Sequence, residues 1–200
     1  DSPCLRLKPK PVQVTQGYLH LGVEVYGGVL LNPWYDRDLS LAGRITCQLK
    51  DGQIVSYLID FKRAIATVPS LAIHLDREVN GGRSINPQRD MPPVVMRTDA
   101  TPSLDKILID QVQAQYKNAR VERILAHELS FYDTQAPAIT GLGGDFIASA
   151  RLDNLLSCYA GVVSLCGAGT AVTSLLVCND HEEVGSASAA GAEGPFLRSV

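Results

Sequence analysis

The 200-residue chain lacks any stretch of about 18 apolar residues, the length a membrane-spanning helix needs. Its longest apolar runs, such as residues 171–178, are strand-sized. It also lacks a basic block. Eighteen Lys and Arg stand against 21 Asp and Glu, a net charge of −3, so nothing tracks a phosphate backbone and nucleic acid is not an expected partner. Among the five cysteines, Cys4, Cys47, Cys158, Cys166 and Cys178, no Cys-x-x-Cys pair occurs. An odd count with three members among apolar neighbours predicts buried, reduced thiols of a cytoplasmic protein rather than a disulfide framework or a metal site. The absence of a Gly-x-Ser-x-Gly elbow disfavours a serine hydrolase of the α/β type. The glycine-rich stretch Gly141, Leu142, Gly143, Gly144 lacks the Lys and Ser/Thr of a phosphate-binding loop. There is no internal repeat and no low-complexity tract.

With 46% hydrophobic and 20% charged residues the composition is globular, which excludes disorder. The length suits one ordinary domain, or a core with a modest insertion. No initiator Met or signal-peptide pattern opens the chain, and residues 196–200 read like the first turn of an unfinished helix. Both ends are therefore expected to be cuts inside a longer protein.

The first two-thirds read as β-rich. Residues 18–26 alternate apolar with polar or small side chains, the period of a half-buried strand, and Gly27 with Gly28 breaks the pattern. Residues 44–49 and 54–59 flank Asp51-Gly52 and predict a hairpin. Residues 81–87 and 91–93 are expected to be loops from their Gly and Pro content. Leu104, Ile107, Leu108 and Val112 make the stripe of a short amphipathic helix, with Ser103 as its cap. Residues 121–131 return to strand character. From about Ala136 the texture becomes small and apolar. Residues 152–166 read as a helix, and residues 171–178, continuous and rich in β-branched side chains, read as a parallel strand buried on both faces.

That run ends in Asp180, His181, Glu182 and Glu183, followed by small residues from 185 to 194. Ligands of open α/β sheets bind at the carboxyl ends of strands. A divalent metal there would offset the repulsion between neighbouring carboxylates, one ligating and one left free as a base; the other reading is a solvated acidic loop. Asp153, at a helix start, is either an N-cap or a ligand carried over the strand ends. His74 stands alone on the apolar segment 71–75, where a histidine is more often a satisfied core residue. His20 and His127 fall in strands. Trp34, Tyr35, Asp36, Arg37 and Asp38 suggest a salt-bridged turn or an interface anchor.

Taken in order along the chain, DSPCLR at 1–6, VEVYGG at 23–28, PWYDRDLSLAGR at 33–44, LAIHL at 71–75, ELSFYDTQ at 128–135, RLDNL at 151–155 and DHEEVGS at 180–186 resemble the aspartyl aminopeptidases, cytosolic two-zinc exopeptidases, and in particular a bacterial member. The resemblance covers nearly the whole chain. It implies an α/β fold: a three-layer zinc-exopeptidase core, partial here at residues 1–10 and 136–200, interrupted by a β-rich dimerisation domain at 11–135. It implies that Asp153 bridges two zinc ions, that Glu183 is a terminal ligand of one, and that Glu182 is the general base. Asp1 matches the Asp of the family's His-x-Asp motif and would orient a ligand histidine. His74 would either reach the metal or contact substrate in a neighbouring subunit.

The same resemblance implies peptide substrates with acidic N-terminal residues, although no cationic specificity residue stands out. It also implies cytoplasmic location and dimers assembled into a tetrahedral homo-oligomer, a dodecamer. A full member is about twice this length and uses five ligand positions, of which Asp153 and Glu183 alone fall within these residues. Two other readings stand beside it: a non-catalytic oligomerisation module, and a related tetrahedral aminopeptidase of different N-terminal specificity.

Overall fold

The computed structural model describes every residue from Asp1 to Val200. The chain forms two compact units, one of Cys4–Val25 and Val29–Gln135, the other of Asp1–Pro3, Tyr26–Gly28 and Ala136–Val200.

The larger unit is a six-stranded sheet in the order β4-β3-β6-β1-β2-β5. Its strands are β1 (Cys4–Thr15), β2 (Tyr18–Tyr26), β3 (Leu39–Leu49), β4 (Ile54–Asp60), β5 (Val94–Arg97) and β6 (Val121–Asp133). The alternation read in residues 18–26 is the pleat of β2, which buries Leu19, Leu21 and Val23. The hairpin at Asp51-Gly52 forms as expected, with Arg44 opposite Leu58 and Gln48 opposite Ile54. Strand β3 then pairs on its other side with β6, from Leu39↔Asp133 to Leu49↔Val121, through two bulges.

One sheet face is apolar and carries helix α3 (Leu104–Gln115), whose Leu108 and Val112 are fully buried against Leu5, Leu41, Ile45, Leu129 and Phe131. Ser103 caps α3 as expected, its hydroxyl accepting from the Lys106 N–H at 3.2 Å. The other face carries polar cross-strand pairs: Arg44 with Glu128, Thr46 with Ser56 at 2.9 Å, and Arg123 with Gln48 at 2.8 Å.

Three local readings are corrected. Residues 4–10, expected in the core with residues 1–3, are the first half of β1. Their alternation is masked by Pro9 and Pro11, which fall beyond the Leu5↔Phe131 and Arg6↔Ser130 pairs that join β1 to β6, so their missing N–H groups cost no bond of that ladder. Residues 91–93 are a loop as expected, while the segment 81–87 is entered at its two ends by the one-turn helices α1 (Val79–Gly82) and α2 (Pro87–Asp90). Helix α2 forms because the Asn86 side chain accepts from the Gln88 and Arg89 N–H groups. The third correction is His74: it lies on an exposed turn rather than in the core, flanked by Ile73 (45% exposed) and Leu75 (75%).

The Trp34 segment is the salt-bridged turn of the two readings. Arg37 pairs with Asp133 at 3.1 Å, and the Asp36 carboxylate accepts from the Ser70 N–H at 2.8 Å, a bond that holds its pKa below the usual carboxylate value.

The smaller unit holds the two-stranded ribbon of β7 (Ala138–Thr140) with β8 (Phe146–Ala148), helix α4 (Leu152–Cys166) and the one-turn helix α5 (Phe196–Ser199). Residues 171–178, expected as a buried parallel strand, form no strand and pair with no other segment. A strand exists only in a ladder, and no segment of residues 1–200 lies beside this one to complete it. Helix α4 forms where expected, but Leu155, Leu156 and Tyr159 are each more than half exposed. Cys166 and Cys178 are exposed for the same reason, while Cys47 is buried as expected; all five cysteines are free thiols. No helix is long and apolar enough to cross a membrane.

Two outcomes follow for the sheet. Gly43, at φ +146°, passes so close to β6 that a Cβ would overlap the Glu128 carbonyl oxygen and lie 3.0 Å from Leu129 Cα. Gly43→Ala should lower stability by about 2 kcal/mol or more, read from the urea midpoint. His127, half-buried near Asp105 and the Pro9 backbone, has its pKa pushed below 6.5 mainly by burial. The unfolded chain therefore takes up a proton more readily than the folded one. Stability should fall as pH drops below about 6.5, and His127→Gln should flatten that loss between pH 7.5 and 5.5.

Candidate functional site

The acidic run folds as a tight turn. Residues Glu182–Val184 make one turn of 3-10 helix, entered through His181 at φ +61° and left through Gly185 at φ +97°. Four ionisable side chains in a row cannot all pack on one surface, and the turn separates them: His181 and Glu183 are half-buried, Asp180 and Glu182 exposed. The small residues that follow let the chain fold back on itself. The Asp180 N–H donates to the Ala190 carbonyl at 3.2 Å, and the Glu193 N–H to the Ser186 carbonyl at 3.2 Å. Ser188 Oγ lies 2.6 Å from His181 Nδ1 and accepts from the Gly191 N–H at 3.1 Å, which fixes the imidazole.

Asp1 organises this turn. Its Oδ2 accepts from the His181 N–H at 3.1 Å and its Oδ1 from the Glu183 N–H at 3.2 Å, while the Tyr26 hydroxyl donates to Oδ2. The same end of the chain reaches the start of α4. The Asp1 nitrogen donates to Asn154 Oδ1 at 3.3 Å, and Ser2 Oγ donates to the Asp153 carbonyl at 2.7 Å. Asp153 is not in helical conformation: its φ and ψ are −86° and 115°, and regular helix begins after Asn154. Such non-helical angles suit an N-cap as well as a ligand position, so both readings of this residue stand. The peptide between Asp153 and Asn154 is cis.

Asp1, Asp153, Glu182 and Glu183 therefore belong to one compact unit, with Asp1 and Ser2 bonded to both loops that carry the other three. His74 belongs to the other unit. Reading the sequence overlooked Tyr26 and Gly28. The Gly28 N–H donates to Glu183 Oε2 at 3.0 Å. Gly27-Gly28 was legible only as a strand break; the sign of something more was a double glycine placed directly after a tyrosine at the strand end.

Carboxylates suit zinc in type, but a zinc site takes three or four protein donors, usually with nitrogen or sulfur among them. No group of three or more His, Cys, Asp or Glu side chains converges within these residues. Residues 1–200 do not bring such a donor set together.

The model of the family described as aminopeptidase I zinc metalloprotease (M18) matches residues 1–200. The chain belongs to the M18 family. A probable M18 family aminopeptidase 2 of Pseudomonas entomophila is 57% identical over 198 residues, which are 98% of this chain and 46% of that protein. The chain thus spans about half the length of the curated relatives it matches. Among solved structures, the Ape4 and Nbr1 complex superposes with a TM-score of 0.86 at 34% identity, covering 100% of this chain and 42% of the other. The S. cerevisiae mApe1 dodecamer does so with a TM-score of 0.73 at 28% identity, covering 100% and 46%.

Asp1→Asn tests the organising carboxylate. An amide group would turn its NH2 towards a donor that now meets an oxygen. Amide exchange at His181 and Glu183 should quicken roughly ten-fold, a local loss on the order of 1.4 kcal/mol, while exchange in β3 and β6 stays unchanged.

Proposed function

We propose that the complete protein is a zinc-dependent aminopeptidase that removes N-terminal residues, acidic ones by preference, from peptides. What supports the reading most is a single arrangement: one carboxylate, Asp1, bonds to the backbone on both sides of Glu182 in a chain that matches the M18 family along its length. In this reading Asp153 and Glu183 are two of five ligand positions for a pair of zinc ions, the others lying outside residues 1–200. Zinc, when bound, polarises a carbonyl and makes water a stronger nucleophile.

Glu182 is the general base. Its neighbours on either side are held by Asp1 through their N–H groups, so the backbone of Glu182 is anchored while its side chain remains exposed. An exposed carboxylate on an anchored backbone can take a proton from the attacking water and return it to the leaving amine. His74 would act in a neighbouring subunit, at its zinc or against its substrate. Its place on an exposed apolar turn suits a residue that reaches outward. The β-rich unit would be the dimerisation domain of a homo-oligomer; the S. cerevisiae neighbour is a dodecamer. Five free thiols accord with a cytoplasmic location.

Glu182→Gln removes the base and no ligand. In the complete protein, kcat should fall by about a hundred-fold or more with zinc content unchanged by elemental analysis, whereas Asp153→Ala should lose zinc and activity together. Retention of more than about a tenth of kcat by Glu182→Gln, a barrier change below ~1.4 kcal/mol, would remove Glu182 from the role of base. A panel of aminoacyl anilides should show faster turnover with Asp and Glu than with Leu; the reverse order would point to the related aminopeptidase of neutral specificity.

A further inference from the structure

We infer that Tyr26, Gly27 and Gly28 form a strap that presets the Glu183 carboxylate, with Tyr26 a positioning residue acting through Asp1; the inference rests on the reading of Glu183 as a zinc ligand. Glu183 is held at both ends of its residue. Its N–H donates to Asp1 Oδ1 at 3.2 Å, and its Oε2 accepts from the Gly28 N–H at 3.0 Å. A backbone N–H directed at one carboxylate oxygen fixes the rotation of the carboxylate and leaves the other oxygen, Oε1, for a cation. Such bonds to a ligand's free side set its orientation and its affinity for metal.

The strap has to pass very close to do this. Gly27 adopts φ +74°, and a Cβ there would lie 2.7 Å from both Glu183 Cβ and Glu183 Oε2. Any side chain at this position is strained by its backbone and displaces the carboxylate as well.

Tyr26 supplies the second hold. Its hydroxyl donates to Asp1 Oδ2, the oxygen that also accepts the His181 N–H. With the Glu183 N–H on Oδ1, the Asp1 carboxylate takes three donors and has no freedom to rotate. The Tyr26 ring lies 6.4 Å from the His181 ring, centroid to centroid, so the tyrosine packs beside the turn that it steadies. Without the hydroxyl, Asp1 keeps two backbone donors and can turn about its Cβ–Cγ bond, and the Glu183 backbone turns with it.

The test uses the complete protein with Tyr26→Phe, which removes one oxygen atom and keeps the ring. Two quantities are read: the rate at which a chelator strips zinc, and kcat and KM separately. Amide exchange at His181 and Glu183 is measured alongside on zinc-free protein. The expected result is roughly ten-fold faster exchange at the two amides, zinc stripped several-fold faster, and a kcat loss of about ten-fold with KM within two-fold. Gly27→Ala should speed zinc loss further. The inference is overturned if Tyr26→Phe leaves both exchange and zinc release at parent values. It is equally overturned if exchange quickens while zinc release and kcat do not, because the tyrosine would then have a structural role alone. A parent protein that holds no zinc and cleaves no peptide would refute the proposed function instead, and the exchange result would still decide whether the strap holds the turn.

Discussion

The Asp1 carboxylate accepts hydrogen bonds from the Tyr26 hydroxyl and from the backbone of His181 and Glu183, residues separated from it by 25, 180 and 182 positions. Much of the smaller unit depends on that one group. The residues that follow the turn at Glu182, 185–191, are glycine, serine and alanine only and offer it little apolar side chain. Hydrogen bonds to a charged acceptor are stronger than neutral ones and more directional, so a turn poor in packing can still be held in one conformation. Ser2 and the Asp1 nitrogen extend the same anchor to Asp153 and Asn154.

The two units are built on opposite principles. The β-rich unit closes its own core: Leu5, Leu41, Ile45, Leu129 and Phe131 are almost fully removed from water beneath α3, and burial of this kind is the main favourable term in folding. The smaller unit buries almost none of its apolar side chains. Helix α4 and residues 171–178 carry hydrophobic surface that is not covered within residues 1–200. That contrast stands beside a chain that spans 46% of the length of its Pseudomonas entomophila relative.

The elements legible in the sequence were those whose signal is local. The period of β2, the hairpin at Asp51-Gly52, the stripe and cap of α3 and the length of α4 each follow from a pattern within about 15 residues, and each formed. β1 was not legible, because two prolines mask an alternation that matters only where β6 lies alongside. The run at 171–178 misled for a related reason: its composition is that of a buried strand, yet a strand is completed by a neighbour. The site followed the same division. Asp153, Glu182 and Glu183 stand out by residue type and through the family resemblance, while Tyr26 and Gly28 are marked locally only as a strand end and the glycine break after it.

By itself, then, the sequence determined the chemistry available and the family. It set a paired carboxylate turn, an aspartate at a helix start, an alternating β-rich segment and seven motifs in M18 order, because side-chain identity and short-range periodicity are properties of the linear chain. The tertiary structure alone decided which of these groups meet. It brought the residue at position 1 to positions 153, 181 and 183, wrapped Gly27-Gly28 around a glutamate more than 150 residues away, and left His74 on an exposed turn of the other unit. Such pairings depend on the closure of long loops by a common fold, and no window of sequence shorter than that loop carries them.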